Sequence, residues 1–366
     1  MNNLGIYIHI PFCANAKCPY CDFYSVPFDN KLAEQYTSAI IKSVEYWGNQ
    51  AENRTVDTVY FGGGTPSLLR LNLAVILNSI KSNFNISVDA EITFEANPTN
   101  NMTEFLPALR KAGFNRLSLG LQSANDNELA ALGRQHSTLQ TAEAVHFARN
   151  AGFENISLDL MLCTPQQTIK SLEKSIEFIA ELKPQHVSAY LLKIEQGTPF
   201  AQKSLVLPND DEQADTYIFA CEQLEKNGFM QYEISNFAKQ GFEARHNLKY
   251  WQCDEYIGIG AAAHSFFEGQ RFYYERDIHS FINGATPIND GDGGSFEEYC
   301  MLGLRLSKGL SERQLKERYN KGFESFDNAK LQKLIKAGLI IIENGVLRLT
   351  RDGFLVSNLV IGELLN

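Results

Sequence analysis

Lys111-Ala-Gly-Phe-Asn-Arg-Leu-Ser-Leu-Gly-Leu121 is echoed further along the chain by Asn150-Ala-Gly-Phe-Glu-Asn-Ile-Ser-Leu-Asp-Leu160. Each copy reads as the end of a helix, a glycine stop and an apolar strand, because glycine accepts the left-handed backbone that closes a helix. Working outward, β-branched and aromatic runs recur at 6–10, 56–61, 91–94, 116–121, 156–161 and 187–192. Amphipathic stretches of helix length lie between them at 31–47, 71–83, 138–150 and 169–182. Consecutive βα units imply a parallel sheet. About six units fall short of the usual eight-stranded barrel, so the expected fold is α/β, a partial (β/α)6 TIM-like barrel with functional residues at the C-terminal strand ends. The stretch 283–295, rich in Asn, Gly and Pro, reads as a loop and a boundary. Beyond it the pattern turns helical, with a hairpin over 339–343 and 346–350 around Asn344-Gly345. That end of the chain suits a small winged-helix-like module or a plain helical cap.

The 366 residues are 44% apolar, enough for a large core and a smaller second one. No run of about eighteen apolar residues appears, and the start, Met1-Asn-Asn-Leu4, lacks a signal-peptide layout; the chain is expected in the cytoplasm without a membrane span. A formal charge of −10 speaks against a general nucleic-acid binder, which needs a basic face. Of seven cysteines only Cys13, Cys18 and Cys21 cluster. Cys163, Cys221, Cys253 and Cys300 are scattered and read as core packing in a reducing compartment.

Thiolates at such short spacing can converge on one metal centre, either zinc or iron–sulfur. No second Cys or His pair completes a four-ligand zinc site, whereas three thiolates can hold three corners of a [4Fe–4S] cluster and leave one iron open. Directly after one strand stands Gly62-Gly63-Gly64-Thr65-Pro66-Ser67, where glycines allow backbone to approach a small molecule or simply turn into the next helix. It is neither a P-loop nor a dinucleotide fingerprint. Three successive strands end on a polar residue, Glu95, Gln122 and Asp159. A polar group there is a hydrogen-bonding partner inside the barrel or a ligand contact.

These residues carry a resemblance. Tyr7-Ile-His-Ile-Pro-Phe-Cys13, then Cys18-Pro-Tyr-Cys21-Asp-Phe-Tyr-Ser25, with FGGGTPS, FEANP, LSLGLQS, Leu132-Gly-Arg-Gln-His136 and SLDLM, resembles the radical S-adenosylmethionine (radical SAM) enzymes. Within them the string resembles the oxygen-independent coproporphyrinogen III oxidases and their haem-chaperone relatives. The resemblance implies that Cys13, Cys18 and Cys21 bind [4Fe–4S], with S-adenosylmethionine on the open iron. It further implies that Tyr7, Gly63, Gly64, Thr65 and Glu95 contact S-adenosylmethionine, and that Gln122, Arg134 and Asp159 line the same cleft. Residues 1–235 would form the radical SAM core, 236–295 a connecting segment and 296–366 the C-terminal domain.

Within this resemblance, the oxidases carry a fourth Cys two residues after the third and an N-terminal extension. Here Phe23 takes that place and Tyr7 comes early. Arg245-His246-Asn247-Leu248-Lys249-Tyr250-Trp251 matches the HNxxYW motif of the chaperone branch. The expected function is therefore a haem chaperone that passes haem to membrane respiratory enzymes. The alternatives are an oxidase converting coproporphyrinogen III to protoporphyrinogen IX, and a cluster- or zinc-stabilised binding protein without S-adenosylmethionine. His246 and His264 are candidate iron ligands, Cys253 a weaker one, and Tyr250 and Trp251 candidate stacking partners for a porphyrin. The chain departs from the family twice. Four residues, not three, separate Cys13 from Cys18, so that 14–17 is expected to bulge; and 162–168 has Cys163 and Gln166 where the family has glycines. If that turn needs positive φ, the two side chains cost stability.

Overall fold

The computed structural model describes residues 3–14, 17–52, 54–98 and 102–365. Its core is six consecutive parallel strands: β1 (Leu4–Ile10), β2 (Thr55–Gly63), β3 (Asn85–Ala96), β4 (Arg116–Gln122), β5 (Asn155–Leu162) and β6 (His186–Leu191). Each sits beside its predecessor, as right-handed βα units require. Ile6, Ile8 and Ile10 are fully buried on the outer face of β1, where α1 (Asn30–Gln50) covers them with Ala33, Tyr36, Ile40, Val44 and Trp47. That spacing is one helical stripe, and each such aliphatic chain contributes about 1.5–3 kcal/mol by leaving water. Asp29 starts the helix by accepting the Leu32 N–H at 2.8 Å, and the Tyr36 hydroxyl ties it to the His9 carbonyl at 2.8 Å. α2 (Asn72–Asn83), α3 (Thr138–Asn150) and α4 (Ile169–Leu182) follow the expected positions, the last two each opened by a reciprocal cap, Ser137 with Gln140 and Thr168 with Ser171.

The sheet does not close. It extends at both ends with strands that the sequence did not announce: β7 (Met230–Glu233) and β8 (Asn236–Ala238) beyond β6, and β9 (Tyr256–Ile259), β10 (His264–Phe267), β11 (Gln270–Tyr273) and β12 (Ile288–Asp292) beyond β1. Only β9 is parallel to its core neighbour; the added hairpins are antiparallel. Residues 236–295 thus contribute five strands to the main sheet, and the 283–295 stretch read as loop contains β12. Every residue of β12 is exposed, so this edge strand is held by backbone pairing, which leaves no mark in hydrophobic periodicity. Between β8 and β9 lies α5 (Arg245–Trp251).

From Phe296 onward a second core assembles around Leu315, Leu334, Ile340, Leu347 and Val360. Its helices precede and follow an antiparallel hairpin, β14 (Ile340–Glu343) with β15 (Val346–Leu349), and the short β13 (Leu310–Ser311) joins as a third strand. Asn344 and Gly345 both take positive φ in the two-residue turn, as predicted from the Asn-Gly pair. The turn 162–168 does need positive φ, at 59° for Cys163 and 69° for Gln166. Two side chains occupy the positions where glycine would cost nothing, about 1–2 kcal/mol of strain each. The Gln167 side chain closes the loop, accepting the Cys163 N–H at 2.6 Å and donating to the Met161 carbonyl at 3.0 Å.

Candidate functional site

The C-terminal ends of the parallel strands open into a cavity of about 210 Å³. Cys13, Cys18 and Cys21 line it together with Gly63, Gly64, Thr65, Glu95, Gln122, Arg134 and Asp159, so every expected cluster and S-adenosylmethionine residue except Tyr7 meets there. Asn97, Tyr190 and Phe23 line it as well. Glu95 and Gln122 stand at the ends of β3 and β4 and Tyr190 next to last in β6, whereas Asp159, expected at a strand end, is the fifth of the eight residues of β5 and reaches the cavity from inside the barrel.

Backbone bonds fix the cysteine loop on both sides. Phe12–Cys13 pairs with Val26–Pro27, the Thr65 N–H donates to the Phe12 carbonyl at 2.7 Å, and a Cys21 N–H to Cys18 carbonyl bond of 3.0 Å closes the second turn. Gly64 must be glycine because a Cβ there would stand 2.5 Å from the Phe12 carbonyl oxygen. The expected bulge over 14–17 falls partly on Asn15 and Ala16, which lie outside the described residues.

Charge is arranged around the thiols. Arg134 donates from Nη1 to Cys18 Sγ at 3.3 Å, while Nη2 is held by the Asn97 side-chain oxygen and the Gly120 carbonyl, both at 2.8 Å. The guanidinium is thus fixed beside the sulfur. Burial pushes the Cys21 thiol up. Glu95 accepts the Tyr60 hydroxyl at 2.7 Å and the Gly63 N–H at 3.2 Å, yet burial pushes it up to about 7. Asp159, bonded by the Ser118 hydroxyl at 3.2 Å, is likewise pushed up to about 6 by burial. The fully buried Arg116 draws both back down, from a guanidinium whose Nε has no hydrogen-bond partner among the described residues. Neither carboxyl makes an ion pair among the described residues. Two carboxyls short of counter-charge, aimed into one cavity, match a cationic ligand. Gln122 is re-aimed by a register shift after Leu119, takes φ 66° and accepts the Tyr190 hydroxyl at 2.8 Å.

The donor set fits an iron–sulfur cluster: three free thiols, a neighbouring cation, and a single imidazole, His136, whose Nε2 is already bonded to the Leu121 carbonyl at 3.0 Å. Among the described residues no three His, Cys, Asp or Glu groups gather round one point as a single-ion site would need, and the thiols share the cavity without doing so.

Two expected ligand residues lie elsewhere. Tyr7 faces an adjoining cavity, its hydroxyl 2.9 Å from His9 Nδ1. His246, on α5, is buried with both ring nitrogens engaged, Nδ1 at 2.8 Å from the Thr58 hydroxyl and Nε2 at 2.8 Å from the Tyr250 hydroxyl. In this arrangement it offers no nitrogen to iron and instead stacks beneath Tyr7 and Tyr60. Cys253 is packed in a small core with Tyr256 and Phe266, and Trp251 lies under the Arg305 guanidinium. His246→Ala is therefore expected to destabilise the fold by about 2–3 kcal/mol, because it strands the buried Thr58 hydroxyl and opens a void. Urea unfolding checks this; an unchanged midpoint contradicts it.

The Radical SAM superfamily model matches residues 7–179, and the HemN C-terminal domain model matches 296–356. The chain is 34% identical to the "Heme chaperone HemW" of Lactococcus lactis, over 96% of this chain and 94% of that protein. It is 36% identical to the protein of the same name from Bacillus subtilis, over 98% of each. Among solved structures, the radical SAM enzyme coproporphyrinogen III oxidase of Escherichia coli superposes with a TM-score of 0.86 at 22% identity, over 99% of this chain and 89% of that one, a likeness of fold. With a thiol-lined cavity at the mouth of an open parallel barrel and full-length relatives of one name, the chain belongs to the HemW haem-chaperone family of the radical SAM superfamily.

Proposed function

We propose that this protein is a haem chaperone that holds a [4Fe–4S] cluster on Cys13, Cys18 and Cys21, binds S-adenosylmethionine beside it, and carries haem to membrane respiratory enzymes from the cytoplasm. The observation that carries the reading is the meeting of three free thiols with Glu95, Gln122, Arg134 and Asp159 in one cavity. When bound, the cluster supplies an open iron for the methionine amino and carboxylate groups and an electron for the sulfonium. The chain's own residues do the rest. Glu95 and Asp159 balance the ligand's positive groups, and Arg134 stands ready for its carboxylate. Gly63 and Gly64 bring backbone close to it. The names of the relatives support the haem cargo, and no helix among the described residues is long and apolar enough to cross a membrane.

The test is anaerobic reconstitution with iron and sulfide, then haem titration beside a coproporphyrinogen III assay on the same preparation. Expected are a cluster whose spin-resonance spectrum changes with S-adenosylmethionine, one haem bound per chain, and no protoporphyrinogen IX. Sustained formation of protoporphyrinogen IX overturns the chaperone reading in favour of the oxidase. A cluster indifferent to S-adenosylmethionine favours a cluster-stabilised binding protein.

A further inference from the structure

Both nitrogens of His246 are taken, so the haem of the reading above has no seat there; the adjoining cavity supplies one. It holds about 360 Å³ and opens to solvent. Its walls are aromatic: Tyr7, Phe23, Tyr24, Tyr250 and Tyr256. At its rim stands His264, the first residue of β10, exposed and backed by Tyr273 at 5.3 Å between nearly parallel rings. Among the described residues neither of its ring nitrogens makes a hydrogen bond. Arg276 also lines the cavity, its guanidinium held among the described residues only by the exposed Asp22, with an ion-pair distance of 3.8 Å and a bond to the Asp22 carbonyl at 2.6 Å.

We propose that this cavity is the tetrapyrrole seat, with His264 as the iron ligand and Arg276 as the partner of a propionate. The inference rests on the haem reading and deepens it. A haem is a flat apolar plate with a metal at its centre and carboxylates on its edge. The cavity presents the matching parts: aromatic faces for the plate, a free imidazole for the metal and a guanidinium for a carboxylate. An exposed Arg–Asp pair is weakly held and exchanges one carboxylate for another readily. Openness suits a cargo that has to leave. Phe23, 67% exposed, lines both this cavity and the cluster cavity, so one ring would touch whatever sits on either side. Cys253 does not line the cavity. His246 acts from behind, through its bond to Tyr250 and its stack on Tyr7, as a positioning residue for two of the walls.

The test titrates the full-length chain and its His264→Ala, His246→Ala and Arg276→Gln variants with haem, and separately with iron-free protoporphyrin IX, reading the Soret band and the iron spin state. His264→Ala is expected to lose the histidine-ligated spectrum and weaken haem binding roughly tenfold or more, with added imidazole restoring the spectrum. Its affinity for iron-free porphyrin should stay as in the parent, which also shows that the variant has folded. Arg276→Gln should loosen haem and iron-free porphyrin alike and leave the spectrum unchanged. His246→Ala should weaken both without altering axial ligation. A parent-like spectrum and affinity in His264→Ala overturns the inference, as does a spectrum lost in His246→Ala and regained with imidazole; the haem reading then survives. If the parent chain binds no haem, that reading fails and this one falls with it.

Discussion

Cys13→Ala, Cys18→Ala and Cys21→Ala are each expected to leave the chain without the broad visible absorption of a [4Fe–4S] cluster after anaerobic reconstitution, and without any S-adenosylmethionine-dependent spin-resonance change. The reason is the lack of a substitute. On the proposed reading each thiol holds one corner, and among the described residues the cavity contains no other sulfur or imidazole apart from His136, whose Nε2 is bonded to the Leu121 carbonyl at 3.0 Å. The remaining cysteines serve as the control. Cys163, Cys221, Cys253 and Cys300 are all buried. Burial raises each of their thiols, Cys221 and Cys300 to about 12, so they are poor metal ligands at neutral pH. Cys300→Ala should therefore keep the parent's iron content. The contrast also tests the loop with its extra residue: a cluster kept in Cys13→Ala but lost in Cys18→Ala and Cys21→Ala would mean that Cys13 has been carried away from the metal.

The parallel core was legible because its strands carry their own signal. β4 is buried along its whole length and β1 nearly so, with leucine or isoleucine at every other position of each, and the capped helices between them repeat at helical spacing. The antiparallel strands beyond β1 were not, being four or five residues long and partly or wholly exposed. For the site, strand-end polarity marks Glu95 and Gln122 and, one strand further, Tyr190, while Asp159 is legible as a polar residue within an apolar strand. A second signal lies within the strands. Glu91, Thr93 and Glu95, then Arg116 and Ser118, Ser157 and Asp159, and His186 and Ser188 are polar at every other position of adjacent strands. Their cross-strand bonds, Ser118 to Asp159 and Ser157 to His186, mark a polar barrel interior under the cavity. Tyr7 and His246 went elsewhere because a linear motif shows neither the direction of a side chain nor its partners. Tyr7 and His9 share a face of β1 and are linked by their own hydrogen bond at the adjoining cavity.

Acidification supplies the other large effect: the chain without ligands should lose roughly 4 kcal/mol of folding stability between pH 7 and pH 5. Four histidines are buried neutral. Burial holds His9 and His136 down at about 4, His246 at about 3 and His186 well below its ordinary value. An unfolded imidazole takes up its proton near pH 6.5, so below that pH the unfolded chain binds protons that the folded chain refuses. Stability held above pH 6.5 is then lost as pH falls toward the folded values, about 2 kcal/mol per histidine by pH 5. The two cavity carboxyls act in the opposite sense. Because Glu95 is raised to about 7 and Asp159 to about 6, their folded forms bind protons first, and protonation relieves the cost of burying charge. They recover roughly half of the loss. The balance has a direct check in urea unfolding at the two pH values. His136→Gln should shrink the fall by about 2 kcal/mol, since it removes one refused proton, whereas Glu95→Gln should deepen it by removing one relief. Stability that is level or rising from pH 7 to pH 5 would show that the buried imidazoles take up protons in place, with water reaching the barrel interior on which the site is built.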